Sequence, residues 1–394
     1  MQKLSLAILT LLICGSVAFG QDFELPEVIC FIEGTPPGST YFGREFCWVG
    51  DQNDDGFDDL LINHDPWNPG ERNRVPHQAN RVELFYGGED MDDEPDVLFT
   101  GDEDTVRMGK KMNYLGYVMP DREPFVVFYT LRPGSNTNFI YELGDSLDNH
   151  PEYFMRNPPR QRKTLGKSHR FRPFDFNGDG YDDMITQWAV DNIERLAVYY
   201  GGGDFDTIPD WSVWCDYWNK EFSTGYDING DGNDDILTRG DSNHGTYFAM
   251  FLGGDPPDTT ALFSFDRDYF EGVTVHSGFS LLPDVNGDGY DDWGIFCTED
   301  VWRNGYFIFF GGEEPDMEPD IILQGYQGML SHRGDISGGD FNDDGYGDIV
   351  TGLAGASHYC GKVHLFFGRP ELPQEMEADI RLNGYHDYGR EYEA

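Results

Sequence analysis

Aspartate is the residue whose spacing carries chemistry in this chain. One pattern, Asp-x-Asn-x-Asp-Gly-x-x-Asp, occurs five times: Asp51-Asn53-Asp55-Gly56-Asp59, Asp175-Asn177-Asp179-Gly180-Asp183, Asp227-Asn229-Asp231-Gly232-Asp235, Asp284-Asn286-Asp288-Gly289-Asp292 and Asp340-Asn342-Asp344-Gly345-Asp348. Calcium takes about six to eight oxygens, and a loop offering side chains at positions 1, 3 and 5 wraps round it. Glycine at position 6 permits the sharp turn. Position 7 supplies a backbone carbonyl, from Phe57, Tyr181, Asn233, Tyr290 and Tyr346, and the aspartate at position 9 closes the shell. Position 12, where a helix–loop–helix site needs a bidentate glutamate, is Ile62, Thr186, Thr238, Ile295 and Thr351. The loop therefore closes early and joins two strands. Five bound calcium ions are expected.

The elements that position these turns form a repeat. A short apolar run ends in glycine at Gly87, Gly144, Gly201, Gly253, Gly311 and Gly368, successive differences being 57, 57, 52, 58 and 57. Several runs are followed by Pro-Asp and a second apolar stretch, as in Pro95-Asp96-Val97 and Pro319-Asp320-Ile321. Each period holds about four runs of strand length bounded by Gly, Asp, Asn and Pro. Helical periodicity is nowhere sustained. The expected fold class is all-β, a propeller of four-stranded blades, since a sandwich domain needs about 100 residues. Six complete repeats and a partial seventh are expected.

On these turns and their period the chain resembles the FG-GAP repeats of the integrin alpha-subunit N-terminal propeller and its bacterial relatives. Phe42-Gly43 keeps the first signature and Thr351-Gly352-Leu353-Ala354-Gly355-Ala356 approximates the second. The resemblance covers nearly everything after Gln21. It implies a seven-bladed propeller with calcium on the lower face and ligands on the upper. The second period departs from the pattern at Tyr117 to Pro124, where no metal is expected and Arg122 is a candidate fixed charge.

Lys3, the apolar run Leu4 to Ile13 and Ala18-Phe19-Gly20 read as an export signal over residues 1–20, which makes 21–394 the propeller and the protein secreted or cell-surface. After that segment no apolar run has the roughly 18 residues needed to cross a bilayer. A net charge of -45 excludes nucleic acid as a partner of the whole surface and favours cations. Cys30, Cys47, Cys215, Cys297 and Cys360 make no C-x-x-C pair, so neither zinc nor a dense disulfide framework is suggested.

Ligand recognition is sought on loops opposite the aspartate turns. These are residues 63–80 with Trp67, 187–194 with Trp188, 239–245, 297–304 and 352–361. Residues 156–172 carry Arg156, Arg160, Arg162, Lys163, Lys167, Arg170 and Arg172 without an acid, either an anion-binding patch or a segment docked on the protein's own acidic surface. If a patch, Arg160, Arg162, Lys163, Lys167, Arg170 and Arg172, with Trp67 and Trp188, would bind an acidic polysaccharide or an acidic extracellular protein. Arg-Gly-Asp at 239–241 and 333–335 reads as coincidence in so Gly- and Asp-rich a chain. The leading function is an extracellular binding or adhesion module. The alternatives are a polysaccharide-active enzyme, although no catalytic constellation is found, and a structural repeat of a larger surface assembly.

Overall fold

The computed structural model describes residues 41–65, 81–88, 91–92, 94–100, 106–120, 122–132, 135–143, 151–156, 161–164, 172–190, 193–203, 205–214, 218–242, 245–300, 303–324, 334–353 and 362–383. They form six sheets, each built on a meander of four antiparallel strands, the fifth carrying one further, parallel strand. The first holds β1 (Tyr41–Trp48), β2 (Leu60–Asp65), β3 (Arg81–Phe85) and β4 (Val97–Thr100). The second holds β5 (Val106–Gly116), β6 (Phe125–Arg132), β7 (Ser135–Glu142) and β8 (Tyr153–Arg156). The third holds β9 (Gln161–Thr164), β10 (Met184–Val190), β11 (Ile193–Tyr199) and β12 (Trp211–Trp214). The fourth holds β13 (Trp218–Ser223), β14 (Ile236–Ser242), β15 (Gly245–Phe251) and β16 (Phe263–Asp266). In the fifth, β17 (Thr274–Leu282), β18 (Asp292–Asp300), β19 (Arg303–Phe309) and β20 (Ile321–Gln324) gain a fifth, parallel strand, β24 (Glu375–Met376). The sixth holds β21 (Gly334–Gly339), β22 (Asp348–Leu353), β23 (Lys362–Phe366) and β25 (Ile380–Asn383).

The chain divides into two compact units: the first contains the strands of sheets one to three, the second those of sheets four to six together with residues 175–178. In the first, Leu61, Val82, Leu84 and Phe99 of the first sheet pack on Met112, Val126, Phe128 and Tyr141 of the second. In the second, Phe248 and Phe265 of the fourth sheet meet Phe279, Trp293 and Ile295 of the fifth. The opposite face of the fifth, Phe296, Tyr306 and Ile308, meets Ile336, Ile349 and Phe366 of the sixth. A sheet buried on both faces needs apolar side chains at successive positions, which is why these strands read as runs rather than alternations.

The repeated glycine has a steric cause. A Cβ on Gly87, Gly201, Gly253, Gly311 or Gly368 would overlap the carbonyl oxygen at position 8 of the aspartate turn in the same repeat: Asp58, Asp182, Asp234, Asp291 or Gly347. The repeated aspartate before the fourth strand also has a role. Asp96, Asp210, Asp320 and Asp379 accept hydrogen bonds from the backbone N–H of Tyr86, Tyr200, Phe310 and Phe367, at 2.8, 2.9, 2.8 and 2.9 Å.

Four segments differ from expectation. Segments 187–194, 239–245 and 297–304 are not loops but the ends of hairpins whose strands leave only residues 191–192, 243–244 and 301–302 between them. Trp188 lies in β10, opposite Arg195. Polar residues there hid the strands, because each strand outruns the apolar core at that end. The basic segment is likewise not one connection: Arg162 and Lys163 lie in edge strand β9, opposite Ala189 and Trp188. Exposed Arg172 stands just before the turn that opens at Asp175. In the sixth sheet the last strand, β25, pairs with β23. Residues 1–20, and Trp67, Arg160, Lys167 and Arg170, lie outside the described residues.

Neighbouring glycines test the steric argument. Gly311→Ala drives a methyl into the carbonyls of Asp291 and Ile228, whereas a Cβ on Gly312 meets nothing within 4 Å. Gly311→Ala is expected to cost about 1–3 kcal/mol in urea unfolding, as overpacking does. Gly312→Ala should leave the midpoint unchanged.

Candidate metal centres

Each aspartate turn joins the first and second strands of its sheet, at residues 51–59, 175–183, 227–235, 284–292 and 340–348. The position 1 carboxylate folds the turn over itself. Asp227 Oδ1 accepts from the N–H of Gly230 and Asp231 at 2.7 and 3.2 Å, and Oδ2 from Gly232 at 2.7 Å. Asp284 repeats this with Gly287, Asp288 and Gly289 at 2.6, 3.2 and 2.8 Å. The position 5 carboxylate accepts from the position 7 N–H in all five turns, between 2.9 and 3.0 Å. This curl requires left-handed backbone twice. Glycine at position 6 has φ between 85 and 93°. At position 4 φ is 72, 72 and 77° for Gly178, Gly230 and Gly287, and 58 and 56° for Asp54 and Asp343. Glycine adopts that region at no steric cost and aspartate tolerates it. The position 4 requirement was missed from sequence, although three of the five copies show glycine there.

The position 9 aspartates are fully buried. Asp235 accepts from the N–H of Ile228 and Gly253, both at 2.8 Å. Asp292 accepts from Val285 and Gly311 at 2.7 and 2.9 Å, and Asp348 from Phe341 and Gly368 at the same two distances. Asp59 accepts from Gln52 and Gly87, both at 2.7 Å, and Asp183 Oδ1 from Gly201 at 2.7 Å. Burial pushes Asp292 up to about 8, against the pull of its two backbone N–H donors, and the nearby carboxylates of Asp284 and Asp288 raise it further. The same causes push Asp59 and Asp348 up to about 6 and Asp235 well above the carboxylate range. In each case the contributing neighbours are positions 1 and 5. Three carboxylates in one turn thus feel one another's charge, which a cation would relieve.

The donor set fits a hard cation. Positions 1, 5 and 9 offer carboxylate oxygens with further lone pairs, position 3 an amide oxygen and position 7 a carbonyl. Asn229 Oδ1 is buried and makes no hydrogen bond. The carboxylates are turned onto backbone N–H groups, and among the described residues no three His, Cys, Asp or Glu side chains converge as a ready metal cluster. Holding an ion therefore requires the position 1 and 5 side chains to exchange some backbone bonds for metal bonds.

Turns are also laced to one another. In the first unit, Asp182 donates its N–H to the carbonyl of Tyr117 at 3.1 Å and accepts from the Tyr117 N–H at 2.6 Å. In the second, Asp234 makes the same pair with Asp175 at 2.9 and 2.8 Å, and Asp291 with Asp227 at 3.1 and 2.9 Å. Gly347, which has no carboxylate, keeps only the backbone bond, to the Asp284 carbonyl at 2.7 Å.

The degenerate second turn holds itself differently. Arg122 stands 2.6 Å from Glu142 and 3.4 Å from Glu152, and over the ring of Phe125. Elsewhere, Arg239 of the first Arg-Gly-Asp pairs with Glu221 at 3.4 Å inside the fourth sheet, which agrees with reading that triplet as coincidence.

No family model matches the chain. Integrin alpha-5 of Xenopus laevis is 25% identical over 278 residues, which cover 60% of this chain and 25% of that protein, so the chain spans about a quarter of its curated relative. Among solved structures, the Nup133 β-propeller domain of Vanderwaltozyma polyspora is similar over 84% of this chain and 83% of that one, with 8% identity and a TM-score of 0.43. An AofleA mutant from Arthrobotrys oligospora is similar over 87% and 90%, with 9% identity and a TM-score of 0.41. Aleuria aurantia lectin is similar over 83% and 91%, with 8% identity and a TM-score of 0.37. The described residues are all-β, in six sheets, and the chain is similar in sequence to part of an integrin alpha chain. No helix of the described residues is long and apolar enough to cross a membrane.

The two kinds of aspartate separate in mutants studied in excess chelator. Asp292→Asn places an amide where two buried N–H groups need acceptors, and is expected to lower stability by about 1–3 kcal/mol. Asp288→Asn, in the exposed part of the turn, should leave the thermal midpoint within error or raise it by removing repulsion.

Proposed function

We propose that this protein is an exported, calcium-loaded binding or adhesion module of the extracellular space. The observation that carries the reading is the collection, in each of five turns, of three carboxylates and an asparagine amide on a backbone curled by two left-handed residues. The buried, unpartnered Asn229 Oδ1 supports a ligand at one of them. Calcium would be held by Asp51, Asn53, Asp55, Phe57 and Asp59, and by the equivalent residues of the other four turns, with Phe57 and its counterparts Tyr181, Asn233, Tyr290 and Tyr346 giving carbonyls. Its role is structural: it neutralises the turns. The similarity to an integrin alpha chain and the strongly acidic composition support an extracellular setting in which calcium is abundant.

The size of the effect can be stated. For dissociation constants of ~10⁻⁴ M, typical of extracellular sites, millimolar calcium contributes about 1.4 kcal/mol per site. Five sites contribute about 7 kcal/mol, comparable to the whole stability of a typical domain. Binding partners of this class are extracellular proteins or acidic polysaccharides.

Excess chelator is expected to lower the melting temperature by more than ten degrees, on the order of what a loss of that size implies. Calcium titration should restore it with a stoichiometry of five. A melting curve indifferent to chelator would refute the calcium reading. A screen of glycans and matrix proteins, run with and without calcium, should find a ligand whose binding is lost on chelation. Release of cleaved product from a bound polysaccharide would instead identify an enzyme.

A further inference from the structure

The aspartate turns carry a second chemistry, at position 3. In three of them the asparagine is followed directly by glycine, as Asn177-Gly178, Asn229-Gly230 and Asn286-Gly287, and in the other two by aspartate, as Asn53-Asp54 and Asn342-Asp343. The side-chain carbonyl carbon of an asparagine is within reach of the next residue's backbone nitrogen, and the two can close a five-membered ring. Closure is easiest when that next residue is glycine, which has no Cβ to crowd the attacking nitrogen. Asparagine is accordingly among the thermolabile residues. The three asparagines are half-buried and the three glycines exposed, so water reaches each pair.

Glycine at position 4 of these turns is imposed by the fold. Gly178, Gly230 and Gly287 have φ of 72, 72 and 77°. A Cβ on them would strike Asn233, the ring of Tyr290 and the ring of Tyr346, each at position 7 of the next turn. The same surroundings hold the labile pair closed. The attacking N–H is committed, since Gly178, Gly230 and Gly287 donate to Oδ1 of Asp175, Asp227 and Asp284 at 2.8, 2.7 and 2.6 Å. The leaving amide is tethered, Asn229 Nδ2 and Asn286 Nδ2 donating to Oδ2 of Asp231 and Asp288, both at 2.9 Å. One difference separates these two. Asn286 Oδ1 accepts from the N–H of Asp288 at 2.9 Å, whereas Asn229 Oδ1 makes no hydrogen bond, so the amide of Asn229 is held on one side only.

We propose that Asn177, Asn229 and Asn286 are sites of spontaneous deamidation, gated by the cover that the next turn lays over the glycine. The glycine nitrogen attacks Cγ of the asparagine, the new C–N bond closes a succinimide, and the side-chain nitrogen leaves as ammonia with the proton that the glycine nitrogen gives up. Water then opens the ring at either carbonyl. One product is aspartate. The other is isoaspartate, whose backbone runs through Cγ and is longer by one carbon. The bonds that Asp227 accepts from the N–H groups of Gly230, Asp231 and Gly232 fit the normal backbone, so a turn containing isoaspartate does not reclose in the same form. Turns open locally at less cost than the whole domain unfolds. Each such opening exposes the pair to a change that is not reversed. Asn53 and Asn342 are internal controls, because their amides are tethered alike, to Asp55 at 2.9 Å and Asp344 at 2.8 Å, but an aspartate side chain follows and crowds the closure. The inference does not rest on the reading of the chain as a binding module.

The test incubates the full chain in calcium at mildly alkaline pH, either native or unfolded in urea, and maps its peptides by mass spectrometry with isoaspartate resolved by chromatography. In urea, Asn177, Asn229 and Asn286 are expected to convert about tenfold or more faster than Asn53 and Asn342, for want of a Cβ on the following residue. Asn304-Gly305 and Asn383-Gly384, the other such pairs in the sequence, should convert with them. Equal rates at Asn53, Asn342 and the three overturn the assignment of sites. In the native chain the three are expected to slow by about tenfold or more, because reaction waits on local opening, with Asn229 ahead of Asn286. Rates that are the same folded and unfolded overturn the gate. Tyr290→Ala takes the ring off Gly230 and is expected to accelerate Asn229 while leaving Asn177 unchanged. Should that variant unfold, which parallel acceleration at Asn177 would reveal, Tyr346→Ala makes the same comparison at Asn286. Native rates at Asn229 and Asn286 that neither variant moves overturn the neighbouring ring as the cover.

Discussion

A buried aspartate carboxylate that accepts hydrogen bonds from the backbone organises each of the five repeats that carry an aspartate turn. The aspartate at position 9 of the turn has one oxygen on the N–H of position 2 and the other on the N–H of the glycine two residues beyond the third strand. It therefore fixes the curl of the turn and the approach of the third strand together. An ionised group with no exposure is tolerated only when hydrogen-bonded or paired, and two amide donors offset part of the desolvation that raises its pKa. The glycine is the complementary half of the same constraint, since its N–H can reach the carboxylate only if no Cβ blocks the carbonyl beside it.

From that point order spreads between repeats. The position 8 residue bonds to position 1 of the turn before it, through the backbone and, where it is aspartate, through the side chain. A second interlock is steric. A Cβ on Gly178 would strike the side chain of Asn233, one on Gly230 the ring of Tyr290, and one on Gly287 the ring of Tyr346. Position 7 of each turn thus lies over position 4 of its predecessor. The two turns with aspartate at position 4, Asp54 and Asp343, are the one followed by the degenerate turn and the last one. Glycine at position 4 therefore serves both the left-handed backbone and the neighbour that covers it.

The second sheet shows what the fold needs without this charge cluster. Its turn has lost the ligand set, and Arg122 bridges Glu142 and Glu152 in its place. The lacing still operates, because Tyr117 offers its N–H and carbonyl to Asp182 as Asp175 does to Asp234. Stitching depends on backbone groups that any sequence has, and charge neutralisation on side chains. The two can be lost separately.

The chain's local chemistry was legible from sequence wherever one residue type answers one local demand. Aspartate at positions 1, 5 and 9, glycine at position 6 and the apolar run closing on glycine each follow from a turn, a charge or a steric limit within one repeat, and they placed the turns between first and second strands. What sequence left open depends on pairing across strands. Trp188 and Lys163 read as members of separate loops, because their polar neighbours lie where strands outrun the core and periodicity fades. Only the register of the third sheet sets them in one row with Arg195 and Trp214. The role of position 4 was hidden for a related reason: its glycine answers partly to a side chain more than fifty residues away, as Gly178 does to Asn233. The division between Asp292 as a pivot and Asp288 as an exposed ligand candidate also needed the folded chain, since burial is a property of neighbouring strands and not of the motif.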